Sequence, residues 1–188
     1  MSKYDDSPVY RINKWVTDSL RLDGVIPPVE EYVNDLDTQD NFAIPFMTAG
    51  QQQPEQTTQY NDGYKSLPFC AYTVEQRGGH GQPWSKCGEI TYIFYSGDIK
   101  KLVGIGNYVH DLTNREDWSA TDINYFYRLD ATYPYDFKCI SFVSGAGPAV
   151  ARDEGGRHAY MCVIDYEATY EGTGRTNDYS AETGLGRI

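Results

Sequence analysis

These 188 residues offer few of the groups on which catalysis and ligand binding depend. The histidines, His80, His110 and His158, fall in a glycine-rich turn, near a helix end and at a strand start. Nothing in their spacing brings them together. A hydrolase needs a nucleophile, a base and an orienting group in one context, so no catalytic residue is expected. Cysteines stand at 70, 87, 139 and 162 with no CxxC pair. Cys70, Cys139 and Cys162 lie in strand-like runs, where a free thiol behaves as a small buried hydrophobe. His158 and Cys162 share a strand face, but about 13 Å separates them, too far to bind one ion directly. A site built from His80, Cys87, His158 and Cys162 matches no standard zinc spacing, so neither metal nor cofactor is expected.

Phosphate loops are lacking too. "SGAGPAVARDEGG" has no GK[ST] ending, and "GIGN" at 104–107 sits inside a helical pattern, where small residues permit close helix–sheet contact. The acidic pairs Asp5-Asp6, Glu30-Glu31 and Asp153-Glu154 fall in loops or at the terminus and read as solvated charge. The chain is therefore expected not to be an enzyme.

Basic charge is in deficit, with 16 Lys and Arg against 27 Asp and Glu, a formal net charge of −11. Gripping nucleic acid needs clustered cations, and the only tight basic pair is Lys100-Lys101. An acidic surface has another relation to DNA, which is to repel it and let it slide past. No apolar run approaches the roughly 20 residues of a membrane span. The opening "MSKYDDSPVY" is polar and acidic, so no secretory leader is expected and the thiols are expected reduced.

Tyrosine is abundant, with 17 copies. It suits protein–protein interfaces, having apolar area and a polar tip, and it equally suits strand positions. Both readings stay open at this level.

Ser7-Pro8 is a helix start, and Val9, Ile12, Val16 and Leu20 mark one apolar stripe to Gly24, predicting a helix over 8–22. Residues 30–66 are rich in Gln, Thr, Asp and Gly and read as a long arm, too unpatterned to pack on their own domain. Strands are expected from Leu67-Pro68 through "FCAYTVEQR" and over "CGEITYIFYS", forming a hairpin. In the second strand Ile90, Tyr92 and Phe94 share one face, and Thr91, Ile93 and Tyr95 the other. Neither face is polar, so both are expected to be covered. Ser96-Gly97-Asp98 supplies a turn and an N-cap for a helix over 99–112, burying one strand face with Ile99, Leu102, Val103 and Val109. The second face would meet a neighbouring molecule, the N-terminal helix or the 30–66 arm.

"NREDWSATDINYFYRL" predicts a shorter helix capped by Ser119 or Thr121 and anchored by Trp118. "DFKCISFVSG" and "RHAYMCVIDYEATY" predict two more strands, joined by the loop "AGPAVARDEGG". The fold class is α+β, a mostly antiparallel four-stranded sheet with helices packed on one face. A single domain over 1–170 is expected, including the arm, followed by a flexible C-terminal tail over 171–188.

This order, with "PFCAYTVEQR", "WSKCGEITYIFYSGDIKKLVGIGNYVHDLTNREDWSATDINYF" and the final hairpin, resembles the tail terminator proteins of tailed bacteriophages. The likeness is one of architecture over residues 7–170, since no invariant motif marks that family. The long Gln-rich 30–66 segment and the extended tail depart from its usual outline. The resemblance implies a structural virion protein, made in the host cytoplasm and placed in the tail or neck. It implies a homo-hexameric ring that caps the tail tube and joins it to the head while genomic DNA passes without specific binding. Its implied partners are other copies of itself, the tail tube protein, neck or connector proteins and, in a contractile tail, the sheath protein. Candidate interface residues are Tyr60, Tyr64, Thr91, Ile93 and Tyr95, and candidate lumen-facing acids are Asp153 and Glu154. The alternatives are a head-completion, neck or connector protein on the portal side, or a small α+β enzyme or ligand-binding domain.

Overall fold

The computed structural model describes residues 7–28, 47–49, 68–78, 85–115, 117–127, 135–150 and 157–170. Helix α1 spans Pro8–Leu22. The Ser7 side chain accepts from the Tyr10 amide, and Pro8 occupies the first turn, where a missing N–H costs nothing. Its far end closes through Gly24 at φ +67°, with the Gly24 amide donating to Arg21 and the Val25 amide to Leu20. That pair of bonds satisfies the last carbonyls, and only glycine adopts the turn without strain. The predicted stripe Val9, Ile12, Val16 and Leu20 is buried throughout.

Strand β2 (Phe69–Gly78) pairs antiparallel with β3 (Ser85–Ser96). Helix α2 (Ile99–Thr113) follows, capped by Asp98, whose carboxylate accepts from the Lys100 and Lys101 amides. Ser96 in turn accepts from the Asp98 amide, so the Ser-Gly-Asp hinge is closed by its own side chains. Helix α3 (Asp117–Tyr127) leads to β4 (Tyr135–Val150) and β5 (His158–Tyr170). The four long strands run in the order β2-β3-β5-β4 and are antiparallel throughout, giving an α+β fold.

The three described helices feed one core, built on the sheet face that carries Ile90, Tyr92 and Phe94 of β3 with Cys162, Ile164 and Tyr166 of β5. Tyrosine hydroxyls stitch the layers. Tyr92 donates to Asn13 Oδ1 at 2.7 Å inside the core, and Tyr127 donates to the Arg11 carbonyl. Tyr108 reaches from α2 to Asp23 and the Ser19 carbonyl at the end of α1. Each such bond adds about 1 kcal/mol net, and losing one partner of the buried pair would cost more.

Several sequence expectations are corrected. The arm is not wholly apart from the domain: β1 (Met47–Ala49) lies parallel to β2 as an edge strand, and Met47 packs against the core. Three residues pairing through their backbone need no side-chain period, so no pattern announced them. The rest of the arm and residues 171–188 lie outside the described residues. Ile99 is 44% exposed, and Val103 only half-buried, because α2 turns Leu102, Ile105, Gly106 and Val109 to the sheet instead. Trp118 is no anchor, being 69% exposed. Ser119 lies within the first turn of α3, where its hydroxyl donates to the Leu112 carbonyl and accepts from the Arg115 amide, clasping the α2–α3 joint. Cys139 is exposed on β4. The "AGPAV" stretch is strand, not loop, pairing irregularly with Met161, Ala159 and His158 of β5. Its small residues make room for a ring: Gly145 and Gly147 of β4 and Gly106 of α2 all crowd Tyr160.

Candidate functional site

The second face of the sheet is built by the alternate residues of the same strands. Cross-strand partners share a face. Register therefore sets Tyr95 beside Phe69 and Ala159, Ile93 beside Ala71 and Met161, and Thr91 beside Thr73 and Val163. Glu89 lies beside Glu75 and Asp165. One end of this face is apolar and the other acidic.

At the apolar end the Phe69 and Tyr95 rings stack with centroids 4.8 Å apart, and the Arg157 guanidinium lies 5.1 Å from the Phe69 centroid. Phe69, Ala71 and Tyr95 form a small buried cluster of their own, with Ile93 and Ala159 packed against it. Tyr95 is 8% exposed in the single chain, Thr91 and Ile93 are half-buried, and Met161 is 37% exposed. At the acidic end Arg77 donates to Glu89 at 2.6 Å and lies 3.4 Å from both oxygens of Asp165. One cation thus spans three strands and links two carboxylates. Half-exposed pairs of this kind contribute less than about 1 kcal/mol each, so the network sets charge pattern more than stability.

Thr91, Ile93 and Tyr95 thus lie together on the face away from the helices. Tyr60, Tyr64, Asp153 and Glu154 lie outside the described residues, as does His80. The sequence reading stopped short at β5. "AYMCVIDY" is apolar on both faces just as β3 is, and the register then sets Ala159, Met161 and Val163 beside Tyr95, Ile93 and Thr91.

The imagined four-ligand metal site is not assembled. Cys87 pairs with Glu167 and so lies on the Ile93 face, whereas Cys162 pairs with Tyr92 on the core face. Among the described residues no three His, Cys, Asp or Glu side chains are grouped to hold an ion. His110 touches Asp111 and stacks edge-on against Phe142, and His158 opens β5 opposite Ser96.

The thiols divide by burial. Burial pushes Cys70 well above the ordinary thiol range, with Cys162 nearby adding to the effect, and raises Cys162 itself to about 12. Tyr166 rises to about 12 for the same reason. In the unfolded chain these groups ionise at their ordinary values, while in the folded chain they stay protonated. Stability is therefore undiminished below the ordinary thiol pKa and is lost as pH rises from there towards 12. With a thiol-specific reagent at neutral pH, Cys139 should react at once and Cys70 and Cys162 only as fast as the chain opens. Rapid reaction of all four thiols in the folded chain would contradict this burial.

A second surface feature lies on the helix layer. Asn114, Arg115, Trp118 and Asp122 line an open groove of about 450 Å³ at the α2–α3 joint. The Arg115 Nε donates to the Asp111 carbonyl at 2.9 Å, and its Nη1 lies 3.8 Å from Asp122 Oδ2.

No protein-family model matches this chain, and no curated protein matches it.

Proposed function

We propose that this chain is a structural subunit of a phage particle, resembling tail terminators. In this role it forms a closed ring that caps the tail tube and joins it to the head or neck. The observation that carries the proposal is a sheet helix-covered on one face, its other face bearing an apolar strip, Ile93 and Met161, beside an acidic row. A ring is built from one heterologous contact repeated, which needs an apolar patch on each subunit for its neighbour. The element order supports the likeness to terminators. A charge of −11 per subunit suits a ring that lets DNA through without holding it. The same chain would then act by contacts with itself, the tail tube and the neck, and would perform no chemistry.

Negative-stain imaging of the purified protein tests this. Rings with a central opening are expected. Compact single particles at every concentration tried would refute the proposal.

A further inference from the structure

We propose that the groove at the α2–α3 joint binds a neutral, hydroxyl-rich ring ligand, a pyranose sugar stacked on Trp118. This inference is independent of the assembly proposal and stands or falls without it. The groove's frame is fixed locally. Ser119 bridges the Leu112 carbonyl and the Arg115 amide, the Trp118 amide donates to the Arg115 carbonyl, and Arg115 Nε is tied to Asp111. Asn114 Nδ2 lies 3.2 Å from His110 Nε2, which pins the carboxamide. The backbone of the joint therefore needs no rearrangement on binding.

The wall chemistry then selects the ligand. Trp118 is 69% exposed and presents an indole face that an apolar ring of C–H groups can cover. Around it stand a carboxamide, a guanidinium and a carboxylate, planar groups able to contact neighbouring hydroxyls two at a time. Arg115 and Asp122, 3.8 Å apart, are too distant for a direct hydrogen bond. A hydroxyl between them can accept from the guanidinium and donate to the carboxylate. Their charges offset each other, and the exposed Asp111, whose carbonyl holds Arg115, makes the surroundings unfavourable to anions. Nucleotides are further disfavoured by the charge of −11. The groove, of about 450 Å³, is widely open, which suits a ligand that keeps one side in water.

The test follows the Trp118 indole N–H resonance of the full chain by NMR, assigned with Trp118→Phe. The probes are glucose, galactose, mannose, N-acetylglucosamine and their disaccharides, with adenosine and inorganic phosphate alongside. At least one sugar should give a saturable shift with a millimolar dissociation constant. Asp122→Asn should weaken it about tenfold, the loss of one charge-assisted hydrogen bond. In Trp118→Ala the binding, followed at neighbouring backbone amides, should vanish with the circular dichroism spectrum unchanged. The proposal is overturned if no sugar moves the resonance up to about 100 mM. It is equally overturned if only adenosine or phosphate does so, or if Trp118→Ala binds as the parent does. A shift produced by raising protein concentration alone, with no sugar effect, would assign the groove to a protein contact instead.

Discussion

Gly106→Val is expected to lower the unfolding free energy by about 2–3 kcal/mol, read as a fall in the urea midpoint at unchanged slope. A Cβ added at Gly106 would stand 2.6, 2.7 and 2.9 Å from three atoms of the Tyr160 ring. The ring is partly buried and packs against the core, with β4 close beside it. On β4, a Cβ on Gly145 would lie 3.1 Å from its hydroxyl, and one on Gly147 would meet its Cα and ring at 3.0 and 3.1 Å. Either α2 lifts off the sheet or Tyr160 leaves its position, and both give up core contacts. Gly104 in the same helix is the control, since a Cβ there meets nothing within 4 Å. Gly104→Ala should gain up to about 1 kcal/mol from helix propensity alone. Adding Tyr160→Ala to Gly106→Val should recover part of the loss, a coupling that a double-mutant cycle measures. Equal stability of Gly106→Val and the parent would mean that the ring is not wedged there.

The second large effect is on assembly and depends on the ring proposal. Ile93→Asp should weaken association by about 2–4 kcal/mol per contact, because a carboxylate pressed into an apolar interface loses water without gaining a partner. Ile93 also packs against the Phe69, Ala71 and Tyr95 cluster, so the change costs the monomer something as well. Met161→Asp is the companion variant, paired with Ile93 across β3 and β5 and more exposed. Sedimentation should show smaller species for both, with Met161→Asp retaining a cooperative unfolding transition. Assembly unchanged in both variants would remove this face from the contact. Unfolding of Ile93→Asp with assembly intact in Met161→Asp would make Ile93 interior packing.

Much of the fold could be read from local chemistry. The Ser7-Pro8 start, the Gly24 stop and the Asp98 cap are short-range signals, and each is used in the structure as the residues suggest. The period change at Ser96-Gly97-Asp98 marks the passage from β3 to α2 because alternation and helical spacing are both set by backbone geometry. What failed was long-range. "AGPAV" looks like a loop because glycine and proline usually mark turns, yet here the small residues serve a ring contributed by the neighbouring strand. Trp118 reads as an apolar anchor on hydrophobicity, but the α3 face buried against β4 and α1 carries Ala120, Ile123 and Tyr127. Tyrosine abundance has a partly internal cause, since Tyr92, Tyr108 and Tyr127 spend their hydroxyls tying helices to one another and to the sheet. The apolar second face of β3 was legible, whereas its extension over β5 needed the register that pairs Ile93 with Met161.

The mass of the native assembly tests the central proposal most directly. Measured by native mass spectrometry on the full chain of 21.3 kDa, it should be six times the subunit mass and should persist on dilution. A single species at the subunit mass, unchanged at high concentration, would contradict the ring.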